Sequence, residues 1–341
     1  MITASPDARI TPAANPVADW RALWRNAVTD GHELLDLVGL SHLADRLPAD
    51  DAGFQLRVPR GFVARMCQGD PNDPLLLQVL PQMAELDDVP GYTLDAVGDM
   101  EVIEAKGVLH KYERRALLIA SGSCAVNCRY CFRRHFPYAE EMAASAHWRE
   151  ALDYLRKDTS INELILSGGD PLSLTTKKLA ELTDQLPNLP HIIRLRIHSR
   201  LPIVLPERID AEFIDWLAAL PLQKVVVIHA NHANEFDASV DDACARMQAA
   251  GATLLNQSVM LRGVNDSADA IANLSERMFA AGVLPYYLHQ LDKVKGTAHF
   301  EVPDTRALAI MEEVRGRLSG YLVPRLVREI SGEASKTPVV E

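Results

Sequence analysis

Residues 115–134 read Arg115-Ala-Leu-Leu-Ile-Ala-Ser-Gly-Ser-Cys124-Ala-Val-Asn-Cys128-Arg-Tyr-Cys131-Phe-Arg133-Arg134. The apolar run 116–120, closed by turn residues, predicts a short buried strand. The loop after it carries cysteines spaced C-x3-C-x2-C. Three thiolates are one fewer than the four that fully ligate a cubane iron–sulfur cluster. One iron is then left open, and an open metal position is where small-molecule chemistry takes place. Structural zinc sites usually pair two C-x2-C or H-x3-H motifs, and no second pair exists here. His135 is near enough to serve as a fourth ligand, which keeps zinc as an alternative. Cys67 and Cys244 stand alone and read as small hydrophobes.

The bulk properties narrow the class. A chain of 341 residues, 48% hydrophobic and 24% charged, has room for a large core and the balance of a soluble globular protein. Its net charge of −11 argues against general binding to nucleic acid or anionic membranes. The N-terminus has no apolar signal region and no stretch of about 20 apolar residues occurs, so a cytoplasmic enzyme is expected. A reducing compartment suits an exposed cluster and makes disulfides unexpected.

Outward from the cysteine loop, the rhythm is that of alternating strands and helices. Apolar runs at 164–166, 192–197, 224–228, 253–255 and 284–288 alternate with amphipathic stretches near 141–157, 175–186, 208–219, 237–250 and 267–281. Six strands with intervening helices imply parallel βα units, too few for a closed eight-strand barrel. The expectation is α/β, a partial (β/α)6 barrel with a helical N-terminal region and a short C-terminal segment. The divisions are 1–110, 111–300 and 301–341, with 1–15 a loose tail. Helical spacing starts at Asp19 and breaks at Asp30-Gly31; a second helical stretch opens at Val58-Pro59.

Function in such a fold belongs to the loops after the strand ends. Ser167-Gly168-Gly169-Asp170-Pro171 follows the second strand. Paired glycines admit close backbone approach, although alone the run reads equally well as a plain βα turn. Polar runs recur after the later strands: His198-Ser199-Arg200, His229-Ala230-Asn231-His232-Ala233-Asn234-Glu235, Asn256-Gln257-Ser258 and His289-Gln290-Leu291-Asp292. Their recurrence at one end describes the rim of a single site. Arg133 and Arg134 read as carboxylate partners or as a solvated basic patch. On composition the last ten residues are a tail and Lys336 a surface lysine.

Together these motifs resemble the lysine 2,3-aminomutase family of radical S-adenosylmethionine enzymes. The match adds Tyr112-Glu113-Arg114-Arg115, Gly263-Val264-Asn265-Asp266, Pro285-Tyr286-Tyr287 and Lys336-Thr337-Pro338-Val339, in order from about residue 90. The resemblance implies an isomerase in which Cys124, Cys128 and Cys131 hold a [4Fe–4S] cluster whose open iron chelates S-adenosylmethionine. Ser167, Gly168, Gly169, Asp170, His198 and Gln257 would line that cofactor's site. Lys336 would form the Schiff base with pyridoxal 5′-phosphate, with Tyr112 and Arg115 against that cofactor or its phosphate. Lys111, where the family usually has Arg, ranks below them. Arg133 would pair with the substrate α-carboxylate, and Asp292 and Glu329 would hold the side-chain ammonium. Two carboxylates offset the cost of burying that ammonium, which favours lysine over glutamate.

Departures from the family pattern refine the expectation. Glu329 stands where the family has Asp, His289 replaces a Tyr, and Ser267 takes the place of a zinc-site Cys. A cysteine-rich C-terminal extension is missing, so no zinc and no extended tetramer are expected; monomer and dimer both stay open. These features resemble the branch that converts L-lysine to (R)-β-lysine for elongation factor P, where a separate lysyl ligase attaches it. An external electron donor would reduce the cluster. The rivals are an aminomutase of free lysine or glutamate in metabolism, and a non-enzymatic iron–sulfur or zinc protein.

Overall fold

The apolar runs become strands because their branched and aliphatic side chains find partners on both faces of a sheet. The computed structural model describes residues 19–146 and 148–340; the tail expected at 1–15 lies outside them. Among the described residues, ten strands form one sheet in chain order. They are β1 Ile103–Ala105, β2 Val108–Tyr112, β3 Arg115–Ser121, β4 Glu163–Gly168, β5 Arg194–Ser199, β6 Gln223–Ile228, β7 Ala252–Val259, β8 Leu284–His289, β9 Arg325–Arg328 and β10 Thr337–Pro338. Strands β3 to β9 are parallel; β1, β2 and β10 pair antiparallel at the two ends.

Helices Arg149–Lys157, Thr176–Thr183, Ala211–Ala219, Ala238–Ala249, Ala268–Ala280 and Asp304–Arg317 make the crossovers. The end strands do not pair with each other, so the sheet is the open partial barrel expected. The helices are bounded by short polar caps: Thr175, Asp210, Asp237 and Ser267 each accept an orphan first-turn amide. Ser267 is thus a helix cap.

Leu164, Leu166, Leu195, Ile197, Val226 and Ile228 are buried with Leu179, Leu217 and Val240 of the outer helices. Each such side chain contributes about 1.5–3 kcal/mol. The same core continues into the N-terminal helices Gly31–Leu37, Arg60–Val63 and Pro74–Leu77 through Leu34, Phe62 and Leu75. No helix among the described residues is long and apolar enough to cross a membrane.

Three details differ from the sequence expectation. The first crossover helix starts at Arg149, because Trp148 has φ 64° and a 3-10 turn occupies Ala143–Ala146. Strand β5 runs on to Ser199 and β7 to Val259, so His198, Asn256 and Gln257 are strand residues. The C-terminal segment contributes β9, paired parallel to β8, and β10 beside it.

Candidate active site

The cysteine loop leaves β3 and is pinned from both sides. Gly169 N donates to Ser121 O at 2.7 Å and Asp170 N to Ser123 O at 2.8 Å, joining the β4 end to the loop just before Cys124. A Cβ on Gly169 would sit 2.7 Å from Ser123 O, and one on Gly168 (φ +116°) 2.7 Å from Ser121 O. These glycines therefore allow two loops to touch through their backbones. On the far side, buried Glu85 receives Arg129 Nε at 2.8 Å and Arg134 Nη2 at 2.9 Å. The arginines flanking the last two cysteines are thus anchored on the N-terminal region.

Asp170 is spent inside the protein. Its Oδ1 accepts from Leu172 N and Ser199 Oγ, and its Oδ2 from Arg200 N and Leu201 N. Burial lifts its carboxyl to about 6 against those hydrogen bonds. The polar runs after β6 and β7 are largely spent the same way. Asn231 bonds Val259 N, Gln78 and Tyr130; Glu235 takes the amides of Asn231 and His232; Asn256 bonds both polar groups of the Ala230 backbone. Half of the expected rim is scaffold.

What remains is a chain of charges. Arg133, 7% exposed, donates Nε to Asp99 Oδ2 at 2.7 Å and Nη1 to Ser167 Oγ at 3.2 Å. Lys111 Nζ lies 2.7 Å from Asp99 Oδ1 and 3.6 Å from Glu329 Oε1. Glu329 also accepts the Tyr112 hydroxyl at 2.6 Å and pairs with Lys336 Nζ. Burial opposes ionisation of Asp99 and Glu329, but their cationic partners hold both carboxyls below the usual range. Asp292 is different: burial pushes its carboxyl up to about 7, eased by Lys336 and reinforced by Glu329 and Asp99. Among the described residues no protein donor meets its carboxylate.

Alternation along the strands turns the histidines toward this chain. Asn256 and Ser258 line a cavity with the Ala268–Ala280 helix, and Leu288 is buried in one cluster with Ala268 and Ile271 of that helix, so Gln257 and His289 face the opposite side. His198 Nδ1 is 3.3 Å from His229 Nε2, and His289 Nε2 has no partner among the described residues. Burial lowers all three imidazoles, His229 to about 4, and Lys336 lowers His198 and His289 further. Arg115 stacks on the Tyr112 ring at 4.5 Å and meets no carboxylate among the described residues.

The donor sets fit the groups expected of them. Burial and mutual repulsion push the Cys124 and Cys131 thiols up, Cys131 to about 11, so only a bound positive centre would hold them ionised together. No three His, Cys, Asp or Glu side chains among the described residues converge on a single metal ion; a cubane instead takes each thiolate on a different iron. Lys336, Arg115 and Tyr112 offer an amine, an unpaired guanidinium and a ring, the donors that pyridoxal phosphate needs. Sequence reasoning missed Asp99 and the contacts of Arg200, and it ranked Lys111 low although that lysine bridges Asp99 and Glu329. Asp99 sits in a loop run without pattern, whereas Arg200 lies inside a quoted motif.

Residues 113–189 match the model of a 4Fe-4S single cluster domain. Over 323 residues the chain is 50% identical to the L-lysine 2,3-aminomutase of Escherichia coli (strain K12), covering 94% of each protein. The chain belongs to the L-lysine 2,3-aminomutase family. A second family member, from Haemophilus influenzae, is 44% identical over 338 residues, 97% of this chain and 98% of that one. The L-lysine 2,3-aminomutase of Clostridium subterminale is 32% identical over 94% of this chain and 78% of its own length. Membership makes the chain an isomerase. A solved radical SAM methyltransferase from Sphaerobacter thermophilus aligns at TM-score 0.47 and 17% identity over 65% of this chain and 68% of that one.

Proposed function

We propose that this chain is a pyridoxal phosphate-dependent radical S-adenosylmethionine L-lysine 2,3-aminomutase that makes (R)-β-lysine. One observation carries the reading: Lys336, from a segment that composition marks as a tail, folds onto Glu329 and within electrostatic reach of Asp292, His198 and His289. A lysine, two carboxylates and the cysteine loop thereby serve one site.

Cys124, Cys128 and Cys131 hold the cluster, with Ser167, the Gly168-Gly169 backbone, His198 and Gln257 beside S-adenosylmethionine. Asp170 shapes that wall from behind. Lys336 anchors pyridoxal phosphate, with Arg115 and Tyr112 on the same cofactor. When bound, these groups supply the radical that takes hydrogen from the substrate and the carbonyl that carries its migrating nitrogen. Arg133 orients the substrate α-carboxylate, and Asp292 with Glu329 receives the ε-ammonium. Neutral histidines line the site without adding charge that would repel that ammonium. An external one-electron donor reduces the cluster. His289 and Glu329 support assignment to the branch whose product is joined to elongation factor P by a separate lysyl ligase.

The test is chemical trapping. Borohydride reduction of the pyridoxal phosphate-loaded chain, followed by peptide mass mapping, is expected to place the pyridoxyl group on Lys336. A label on another lysine, or full labelling of Lys336→Ala, would overturn the reading.

A further inference from the structure

Arg200 touches none of the groups assigned to substrate or pyridoxal phosphate, yet it is 5% exposed and held by its backbone N–H and both terminal nitrogens, while its Nε meets no partner among the described residues. Its backbone N–H donates to Asp170 Oδ2 at 2.7 Å. Nη2 meets Gln78 Oε1 at 2.7 Å and Glu235 Oε2 at 3.1 Å, while the other Glu235 oxygen is occupied by two backbone amides. The Phe62 and Tyr130 rings flank the guanidinium at 5.6 and 5.5 Å. Held this way, Nη1 points at two groups of the cysteine loop, the Cys128 sulfur and the Tyr130 hydroxyl, each 2.6 Å away.

We propose that Arg200 is a positioning residue for the iron–sulfur cluster, donating to the Cys128 sulfur and setting the cluster's reduction potential. This rests on the reading that Cys128 is a cluster ligand. Reduction by an external one-electron donor adds an electron to a group that already bears three thiolates. A cation against one of those sulfurs, in a buried site of low dielectric, stabilises the reduced form more than the oxidised form. Hydrogen bonds to cluster sulfurs are among the levers that set such potentials. Phe62 lies in the helix Arg60–Val63 and Gln78 directly follows the helix Pro74–Leu77, both in the N-terminal region. That region, which carries no substrate contact, therefore serves the cluster by holding Arg200 in place.

The experiment uses the full chain, reconstituted anaerobically, with iron and sulfide analysis and a redox titration against dithionite read by electron paramagnetic resonance. Arg200→Gln is expected to keep its iron and to be harder to reduce by about tenfold or more in the equilibrium constant, which is about 59 mV for a one-electron couple. Arg200→Lys is expected to recover most of that shift. An Arg200→Gln protein with a full cluster and an unchanged midpoint would overturn the role, because packing alone does not move a potential in a fixed direction. If Arg200→Gln does not fold, pulsed resonance on the reduced wild-type cluster grown with 15N-arginine decides. A 15N coupling that disappears in Arg200→Lys is expected, and its absence from the wild type overturns the role. A wild-type chain that takes up no iron–sulfur cluster would instead refute the ligand reading itself.

Discussion

Lys336 reaches back over seven residues to place its ammonium on the carboxylate of Glu329. That carboxylate also takes the Tyr112 hydroxyl, which comes from the opposite end of the sheet, 217 residues earlier. The open barrel is thus bridged across its seam by one acid. Lys336 carries the same ε-ammonium as the proposed substrate, so its pairing with Glu329 and its pull on Asp292 match the contacts proposed for that substrate.

If Asp292 and Glu329 hold that ammonium, removing either charge weakens lysine specifically. Asp292→Asn is expected to lower kcat/KM for L-lysine at least roughly thirtyfold, about 2 kcal/mol, the lower end of the cost of truncating a buried charge pair. Steady-state kinetics of β-lysine formation check this. A variant with the wild-type kcat/KM would place the ammonium elsewhere.

Asp292 also sets a pH dependence. Its carboxyl sits near 7 in the folded chain, chiefly because of burial, against about 4 when unfolded. Between those values the folded chain binds a proton that the unfolded chain has lost. The contribution of this group to stability therefore falls as pH rises from about 4 to about 7, and is level outside that window. Lysine needs the ionised form, so kcat/KM is expected to climb as pH rises through about 7. A pH profile of Asp292→Asn should be low and lack that step. A step retained in the variant would assign it to another group.

Glu85 shows what anchors the cysteine loop. It is buried, and both Arg129 and Arg134 depend on it. Glu85→Gln leaves two guanidinium groups without their counter-charge and is expected to cost about 3–5 kcal/mol. Urea unfolding of the apoprotein would measure it, and iron retention should fall in parallel. Undiminished stability and a full cluster would show that the clamp is dispensable.

Gly169→Ala tests the backbone contact between the β4 end and the same loop. The new methyl would lie 2.7 Å from Ser123 O, and relieving it should cost about 1–3 kcal/mol. Cluster content after reconstitution is expected to drop, whereas Gly61→Ala, in open space, should not change it.

Sequence pattern gave the barrel its strands because each buried run is apolar and bounded by turn residues. It missed β9, where Leu326 and Val327 lie between Arg325 and Arg328 and the stretch is too short to show a period. The cysteine spacing was legible because ligands within one loop are local. Lys336 was legible only through family resemblance, since a tail-like composition says nothing about where a chain folds back. The ties of Asp99 to Arg133 and of Arg200 to Cys128 span 34 and 72 residues, and no local pattern encodes such pairings. Asn231, Glu235 and Asn256 misled in the other direction: their polar groups are spent on loop backbone.

The most direct measurement is anaerobic incubation of the reconstituted chain with L-lysine, S-adenosylmethionine, pyridoxal phosphate and dithionite, followed by chiral analysis of the amino acids. The account predicts (R)-β-lysine from L-lysine and none from Lys336→Ala. Absence of β-lysine from a protein with full cluster and cofactor content, or turnover of glutamate in place of lysine, would contradict it.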